Sequence, residues 1–355
     1  MSAYLGPVRT AVVTFPFLAL LLALPFLVVV YRRYGAFSWW RAIVIYSFVF
    51  YLLSAYFLII LPLPAREAVA QFTGAKYNLT PLMALRYFIH TTVFVPSNPH
   101  TWLAALKQSS FIQPFFNIVL TIPFGFYLRY YFKRSVPQII VMSFGLSLFF
   151  ELTQLSGLYG FYPRPYRLFD VDDLILNTTG GLVGGVLAPI LMRALPSRDT
   201  IDAKSQARGA RVTFARRLAA FLVDFVLFSQ VIGLMIKFLF HLLGLDQLPD
   251  FLSEDVLPLF FVFVIWPAFN NGQTLGKGLV RIKIVRTDGQ AVGFWRLLLR
   301  EGLLYGLAFS SLVGLNNFFI AYFAKFQRTQ INLAALGFFA VLVFLFMINF
   351  VWEVG

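Results

Sequence analysis

Cysteine is absent from the 355 residues, which excludes disulfides, thiolate metal sites and cysteine nucleophiles but leaves the compartment open. Histidine occurs three times, too rarely to supply an imidazole-rich metal centre. Charge is scarce as well. Only 12% of residues are Asp, Glu, Lys or Arg, about half the usual share, and that excludes a soluble globular protein. Apolar residues make up 59% of the chain, and mean hydropathy is +0.78. They fall in blocks long enough to cross a bilayer, which takes about 20 residues each. The expected class is an all-α polytopic membrane protein.

The formal charge of +14 does not point to nucleic acid, because of where the cations lie. Arg32, Arg33 and Arg41 form one group, Arg129, Lys133 and Arg134 a second, Arg193 through Arg217 a third and Lys277 through Arg300 a fourth. Each sits between apolar spans, where the positive-inside rule places cations on the cytoplasmic side. Attraction to anionic lipid headgroups follows, so membrane lipids are expected partners and nucleic acid is not. The N-terminal MSAYLGPVRT and the apolar run behind it lack a small-residue cleavage site, and read as a retained helix.

About nine transmembrane helices are expected, in a five-plus-four arrangement: Thr10–Tyr31, Trp40–Leu61, Phe111–Tyr131, Pro137–Leu155, Asp173–Leu195, Leu218–Leu243, Val256–Phe269, Gly302–Ala324 and Ile331–Trp352. Pro16 and Pro25 predict a kink in the first. Cytoplasmic Arg32, Arg33 and Arg41 place the N-terminus outside and the C-terminus inside. The long loop from Pro62 to Gln113 carries amphipathic stretches around LTPLMALRYFIHTTVF and TWLAALKQSSFI, expected to be short helices on the outer surface. Pro196 to Arg217 is polar, basic and without apolar periodicity, and reads as a cytoplasmic linker. Between Val280 and Gly293, Val280, Ile282 and Ile284 alternate with Arg281 and Lys283 before Asp288-Gly289, which predicts a small cytoplasmic β-hairpin.

The stretch from Glu151 to Gly185 organises the first half. It holds Glu151, Asp170, Asp172 and Asp173 among apolar and basic residues, and acids at the edge of a membrane segment need a partner or water. Glu151 and Gln154 share a helix face, as do Asp173 and Asn177. Arg164 and Arg167 lie between them. Gly180 with Gly184 and Gly181 with Gly185 have small-xxx-small spacing, which lets another helix approach closely. Three readings stay open: a structural cluster in which Asp170 or Asp172 caps a helix, a binding site for a polar ligand or headgroup completed by Tyr159, Phe161, Tyr162 and Tyr166, and a divalent-metal or acid/base site. In the second half, Asp224 lies inside a span, two helical turns from Arg217, and the simplest account pairs it with an arginine such as Arg300.

Asn78-x-x-Pro81, Asn117 with Pro123-x-Gly125, Glu151-x-x-Gln154 and Arg167-x-Phe169-Asp170-x-Asp172-Asp173-x-x-x-Asn177-x-x-Gly180 together resemble the VanZ-like family over roughly residues 40–195. Arg217-x-x-Ala220-x-x-x-Asp224, then Gly272-x-Thr274-x-Gly276-Lys277 and Arg300, resemble the RDD family over about residues 210–300. The implied organisation is a VanZ-like membrane domain at 1–195, a basic linker at 196–216 and an RDD-like domain at 217–355. The RDD family usually ends in a His-Asp-containing segment, whereas this sequence ends at Trp352-Glu353-Val354-Gly355, and a shortened RDD domain is expected.

The resemblance implies a bacterial plasma-membrane protein that lowers susceptibility to lipoglycopeptides such as teicoplanin. The expected ligand is the drug or a cell-wall glycolipid, held by Glu151, Gln154, Arg164, Arg167, Asp170, Asp172, Asp173, Asn177, Asn78 and Asn117, with Arg217, Asp224, Lys277 and Arg300 as the motif of the second half. The alternative is a cation- or proton-coupled transporter using Glu151 and Asp224. No cofactor is expected. A catalytic nucleophile is not evident, so an enzyme is the less favoured class.

Overall fold

The computed structural model describes residues 2–245, 249 and 256–303. Two compact units are present, one of residues 1–23 with 36–210 and one of residues 24–35 with 211–355. Among the described residues, six helices are long and apolar enough to cross a membrane: Leu5–Tyr34, Trp39–Ile60, Ser109–Tyr130, Val136–Leu155, Val171–Ala194 and Phe214–Leu242. A shorter apolar helix, Leu257–Phe269, follows. These correspond to the first seven expected spans. The last two, 302–324 and 331–352, lie essentially outside the described residues. The chain is a multi-pass, all-α membrane protein.

The first helix, α1 (Ser2–Tyr34), continues through Pro16 and Pro25. Helix α2 (Trp39–Ile60) starts at Ser38, whose hydroxyl accepts from Arg41 N. The long loop then folds into α3 (Arg66–Ala70), β1 (Tyr77–Asn78), α4 (Met83–Thr91) and α5 (His100–Leu106). Helix α4 buries none of its residues, as expected of a helix that lies on a surface. The bundle proper is α6 (Ser109–Tyr130), α7 (Val136–Leu155) and α9 (Val171–Leu191). Between α7 and α9 come the short turn α8 (Gly157–Gly160) and β2 (Phe169–Asp170). The two short strands pair in parallel, Tyr77 with Phe169 and Asn78 with Asp170.

Helices α6 and α9 are in backbone contact, and the reason is glycine. A Cβ on Gly125 would overlap the carbonyl of Gly181, and one on Gly184 would overlap that of Ile122. In a membrane, where apolar side chains gain little by leaving lipid, this close packing is what holds helices together. Aromatic residues fill the flank toward α2: Phe48 and Tyr51 pack on the Phe124, Leu128 and Ile139 cluster. There the Tyr51 hydroxyl donates to Leu120 O at 2.8 Å.

Two expectations change. The polar stretch after α9 is not irregular, because residues Arg198–Arg208 form helix α10, capped by Ser197. Asp202 on α10 pairs with the buried Arg41 guanidinium at 2.6 Å, and Ile201 and Ser205 are buried. The short periodicity of this helix was hidden by its charge.

The second unit holds α11 (Phe214–Leu242), which widens into a π turn over Asp224–Phe228, α12 (Leu257–Phe269), α13 (Leu275–Leu279) and α14 (Phe294–Glu301). Here the expected hairpin shrinks to one antiparallel bridge, Val285 with Ala291, around the turn in which Gly289 takes φ 79°. The alternating residues before it form no strand because their carbonyls are used otherwise. Arg216 donates from Nε to Val280 O at 2.8 Å and from Nη2 to Arg281 O at 3.1 Å.

Candidate functional site

The start of α9 gathers the acidic run of the first unit. Asp170 is its N-cap, with Oδ1 accepting from Asp172 N at 2.9 Å, the usual way to satisfy an orphan N–H of a first turn. The same oxygen accepts from Asn78 Nδ2 at 3.1 Å, which ties β1 to the site. Asp172, almost fully buried, reaches away from its own helix. Its two oxygens accept from Leu82 N at 2.5 Å and Ala84 N at 2.7 Å. That clamps the N-terminus of α4, where Leu82 sits in a left-handed conformation with φ 62°. Asp173 accepts from Asn117 Nδ2 of α6 at 2.5 Å.

Glu151 is 2% exposed, and its Oε2 accepts from Asp170 N at 2.9 Å. Gln154 turns elsewhere. Its Nε2 donates to Ile59 O at 3.1 Å, beside Arg167, which donates to Ile59 O at 2.7 Å and to Leu61 O at 3.2 Å. Gln154 and Arg167 therefore cap the C-terminal end of α2, where carbonyls lack helical partners and favour a cation. Arg164 donates to Gly74 O at 2.7 Å. Tyr162 donates to Pro64 O at 2.8 Å. Burial pushes the Tyr166 hydroxyl up to about 12, against the pull of Arg167, so it remains a neutral donor. Ion pairs among the described residues lie elsewhere, and none of the four carboxylates forms one.

Below the acidic turn the three bundle helices carry polar or small residues at four-residue intervals on their facing sides. These are Asn117, Thr121 and Gly125 on α6, Glu151, Ser147 and Ser143 on α7, and Asp173, Asn177 and Gly181 on α9. Helix α7 runs opposite to the other two, so the triplets stack in layers. Thr121 Oγ1 donates to Asn177 O at 2.7 Å, Ser147 Oγ donates to Asp173 O at 3.2 Å, and Asn177 Nδ2 donates to Ser147 Oγ at 2.9 Å. A Cβ on Gly181 would overlap the Ser143 hydroxyl, which closes the polar layers from below. Among the described residues no three His, Cys, Asp or Glu side chains converge to hold a metal, so the divalent-metal reading gains no support from carboxylates alone.

In the second unit, Asp224 is fully buried and pairs with no arginine among the described residues. Its carboxylate accepts from Thr274 Oγ1 at 2.5 Å and from Gly276 N at 2.6 Å, which caps α13. A Cβ on Gly276 would stand 2.8 Å from Asp224 Oδ2, so glycine is needed for the approach. Arg300, the expected partner, instead holds the buried Glu301 at 2.5 Å. Lys277 lies 3.9 Å from the same Glu301 carboxylate, with Arg217 also in its neighbourhood, and its pKa is lowered chiefly by burial and raised back in part by Glu301.

Residues 48–192 match the VanZ/LLP1 family model, and residues 211–355 match the RDD family model. The chain joins a VanZ-like domain to an RDD domain. No curated protein and no solved structure matches it. VanZ-like domains are associated with teicoplanin resistance, and RDD domains with membrane proteins.

The VanZ-like domain gathers two hydrogen-bonded groups at the start of α9, Asn78, Glu151, Asp170 and Asp172 in one and Asn117, Asp173 and Asn177 in the other, whereas Gln154, Arg164 and Arg167 brace the surrounding loops. Ser147 and Thr121 were missed, and their four-residue spacing from Glu151 and Asn117 was the available signal. In the RDD domain the missed residues are Arg216 and Glu301. Arg216, beside the motif residue Arg217, is the one whose guanidinium holds the segment after α13.

Proposed function

We propose that the protein resides in the bacterial plasma membrane and lowers susceptibility to lipoglycopeptides such as teicoplanin by binding the drug or a cell-envelope glycolipid at the acidic end of α6, α7 and α9. The observation that carries this reading is a juxtaposition. Four carboxylates that form no ion pair among the described residues lie at the same end of the domain as exposed apolar and aromatic surface, including Tyr159 at 66%, Phe161 at 55% and Leu79 at 61% exposure. An amphiphile with a polar scaffold and an acyl chain matches both parts. Arg129, Lys133, Arg134 and Arg193 follow the opposite ends of the same helices, so the positive-inside rule turns the acidic end outward, toward drug and cell wall.

The test is binding of fluorescent teicoplanin to the full-length protein in nanodiscs, with vancomycin, which lacks the acyl chain, as comparison. Selective teicoplanin binding that weakens in Phe161→Ser and in Glu151→Gln supports the site. Equal binding of both drugs, or affinity indifferent to both substitutions, would overturn it.

A further inference from the structure

We infer that the polar layers between α6, α7 and α9 form a binding site for a sodium-sized monovalent cation, with Asp173, Glu151, Asn177 and Ser147 as oxygen donors. The argument begins with unequal satisfaction of the carboxylates. Asp172 has two backbone N–H donors, and Asp170 has a backbone N–H and the Asn78 amide. Glu151 and Asp173 have one donor each, although Glu151 is 2% exposed. Both face the start of α9: Glu151 accepts from Asp170 N, and Ser147, one turn away, donates to Asp173 O. Arg167 lies near enough for its charge to act on both carboxylates, but its hydrogen bonds go to Ile59 O and Leu61 O; two buried carboxylates against one cation leave a negative charge for a further cation to meet.

The second observation is independent of the acids. Asn177 is 4% exposed, and its Oδ1 has no hydrogen-bond partner. Its orientation follows from the network. Ser147 spends its proton on Asp173 O, so Ser147 Oγ must accept, and the amide group facing it is NH2. The Asn177 carbonyl oxygen is thereby left without a donor within the same polar layers. A bare amide oxygen, a hydroxyl oxygen and two carboxylates form a hard donor set. Among the described residues fewer than three acidic side chains converge, and with the charge of Arg167 set against the two carboxylates the net charge left suits a monovalent ion better than a divalent one.

The site lies beneath the proposed drug surface but does not depend on it. The experiment is thermal unfolding of the full-length protein in nanodiscs, titrating NaCl against choline chloride at constant ionic strength, with MgCl2 and CaCl2 as parallel arms. The expected result is saturable stabilisation by sodium. Asn177→Leu should raise the half-saturating concentration by about tenfold or more, the effect of losing one substantial ligand. Asn177→Asp, which keeps an oxygen there, should retain the response. Ser143→Ala, one turn deeper, should also retain it. Should Asn177→Leu fail to fold, Ser147→Ala provides the same reading. No sodium-specific shift, a shift seen only with magnesium or calcium, or a response unchanged in Asn177→Leu or Ser147→Ala would overturn the inference.

Discussion

Replacing Gly184 with alanine tests the packing that positions the acidic site. The new Cβ would stand 2.8 Å from the Ile122 carbonyl carbon and 3.0 Å from Phe126 N, and the Ile122 oxygen is closer still. These are backbone atoms, so no side chain can rotate away. Restoring ordinary contact with that oxygen requires α6 and α9 to part by roughly 1–1.5 Å, a strain at the upper end of that of overpacked cores, about 1–3 kcal/mol. Alanine also gains about 1 kcal/mol of helix propensity over glycine, which masks part of that cost. Gly145→Ala on α7 supplies the correction, because nothing lies within 4 Å of its added Cβ. The propensity gain cancels between the two variants, and their difference isolates the packing cost. Gly181→Ala should also be less stable than Gly145→Ala, since its Cβ would meet the Ser143 hydroxyl, which can rotate, and Ser143 Cβ at 2.6 Å, which cannot. Reversible unfolding in bicelles, followed by tryptophan fluorescence, measures all three. If Gly184→Ala proves no less stable than Gly145→Ala, the close approach of α6 and α9 is refuted.

Other outcomes follow from single contacts. Asp172→Asn leaves one of the N–H groups of Leu82 and Ala84 facing an amide NH2, at a cost of about 1–3 kcal/mol; hydrogen exchange should quicken over residues 82–91, and unchanged protection there would show that Asp172 does not hold α4. In the RDD domain, Arg216→Lys should destabilise nearly as much as Arg216→Ala, because one ammonium cannot reproduce the fork that reaches Val280 O and Arg281 O; a lysine variant of wild-type stability would refute this. Burial lowers the Lys277 pKa, so the unfolded chain binds more protons between that lowered value and the ordinary 10.5. Stability should therefore rise with pH through that window, and Lys277→Met should flatten the rise; a slope that persists in the variant would assign it to another group.

Spans were legible because apolar length is a local property, and the glycine spacing at 180–185 foretold close helix approach for the same reason. Side-chain partnerships were not. Glu151 and Gln154 share a helix face by spacing, yet one reaches Asp170 N and the other Ile59 O, because different segments fill the space opposite each. Helix α10 escaped notice since its stabilising contact, Asp202 with Arg41, spans 161 residues. Arg217 drew attention through its motif, whereas neighbouring Arg216 carries the bonds to Val280 and Arg281. One residue along a helix turns the side chain by about 100°, and only the packed structure shows which neighbour faces inward.

The same rotation explains why so many acids crowd the start of α9. Asp170 precedes the helix and turns back on its first N–H groups. Asp172 and Asp173, successive within the first turn, diverge by about 100°, one toward α4 and the other toward α6. A short acidic run thus distributes negative charge in three directions from one point and joins α4, α6, β1 and, through Glu151, α7. An isolated carboxylate could not do this, and acids spaced by four would all face one neighbour. The arrangement also separates roles. Asp170 and Asp172 are engaged by two donors each, so their removal should act on the fold. Glu151 and Asp173 hold one donor each and keep oxygen lone pairs to offer, so substitutions there should alter what the site binds more than whether the domain assembles.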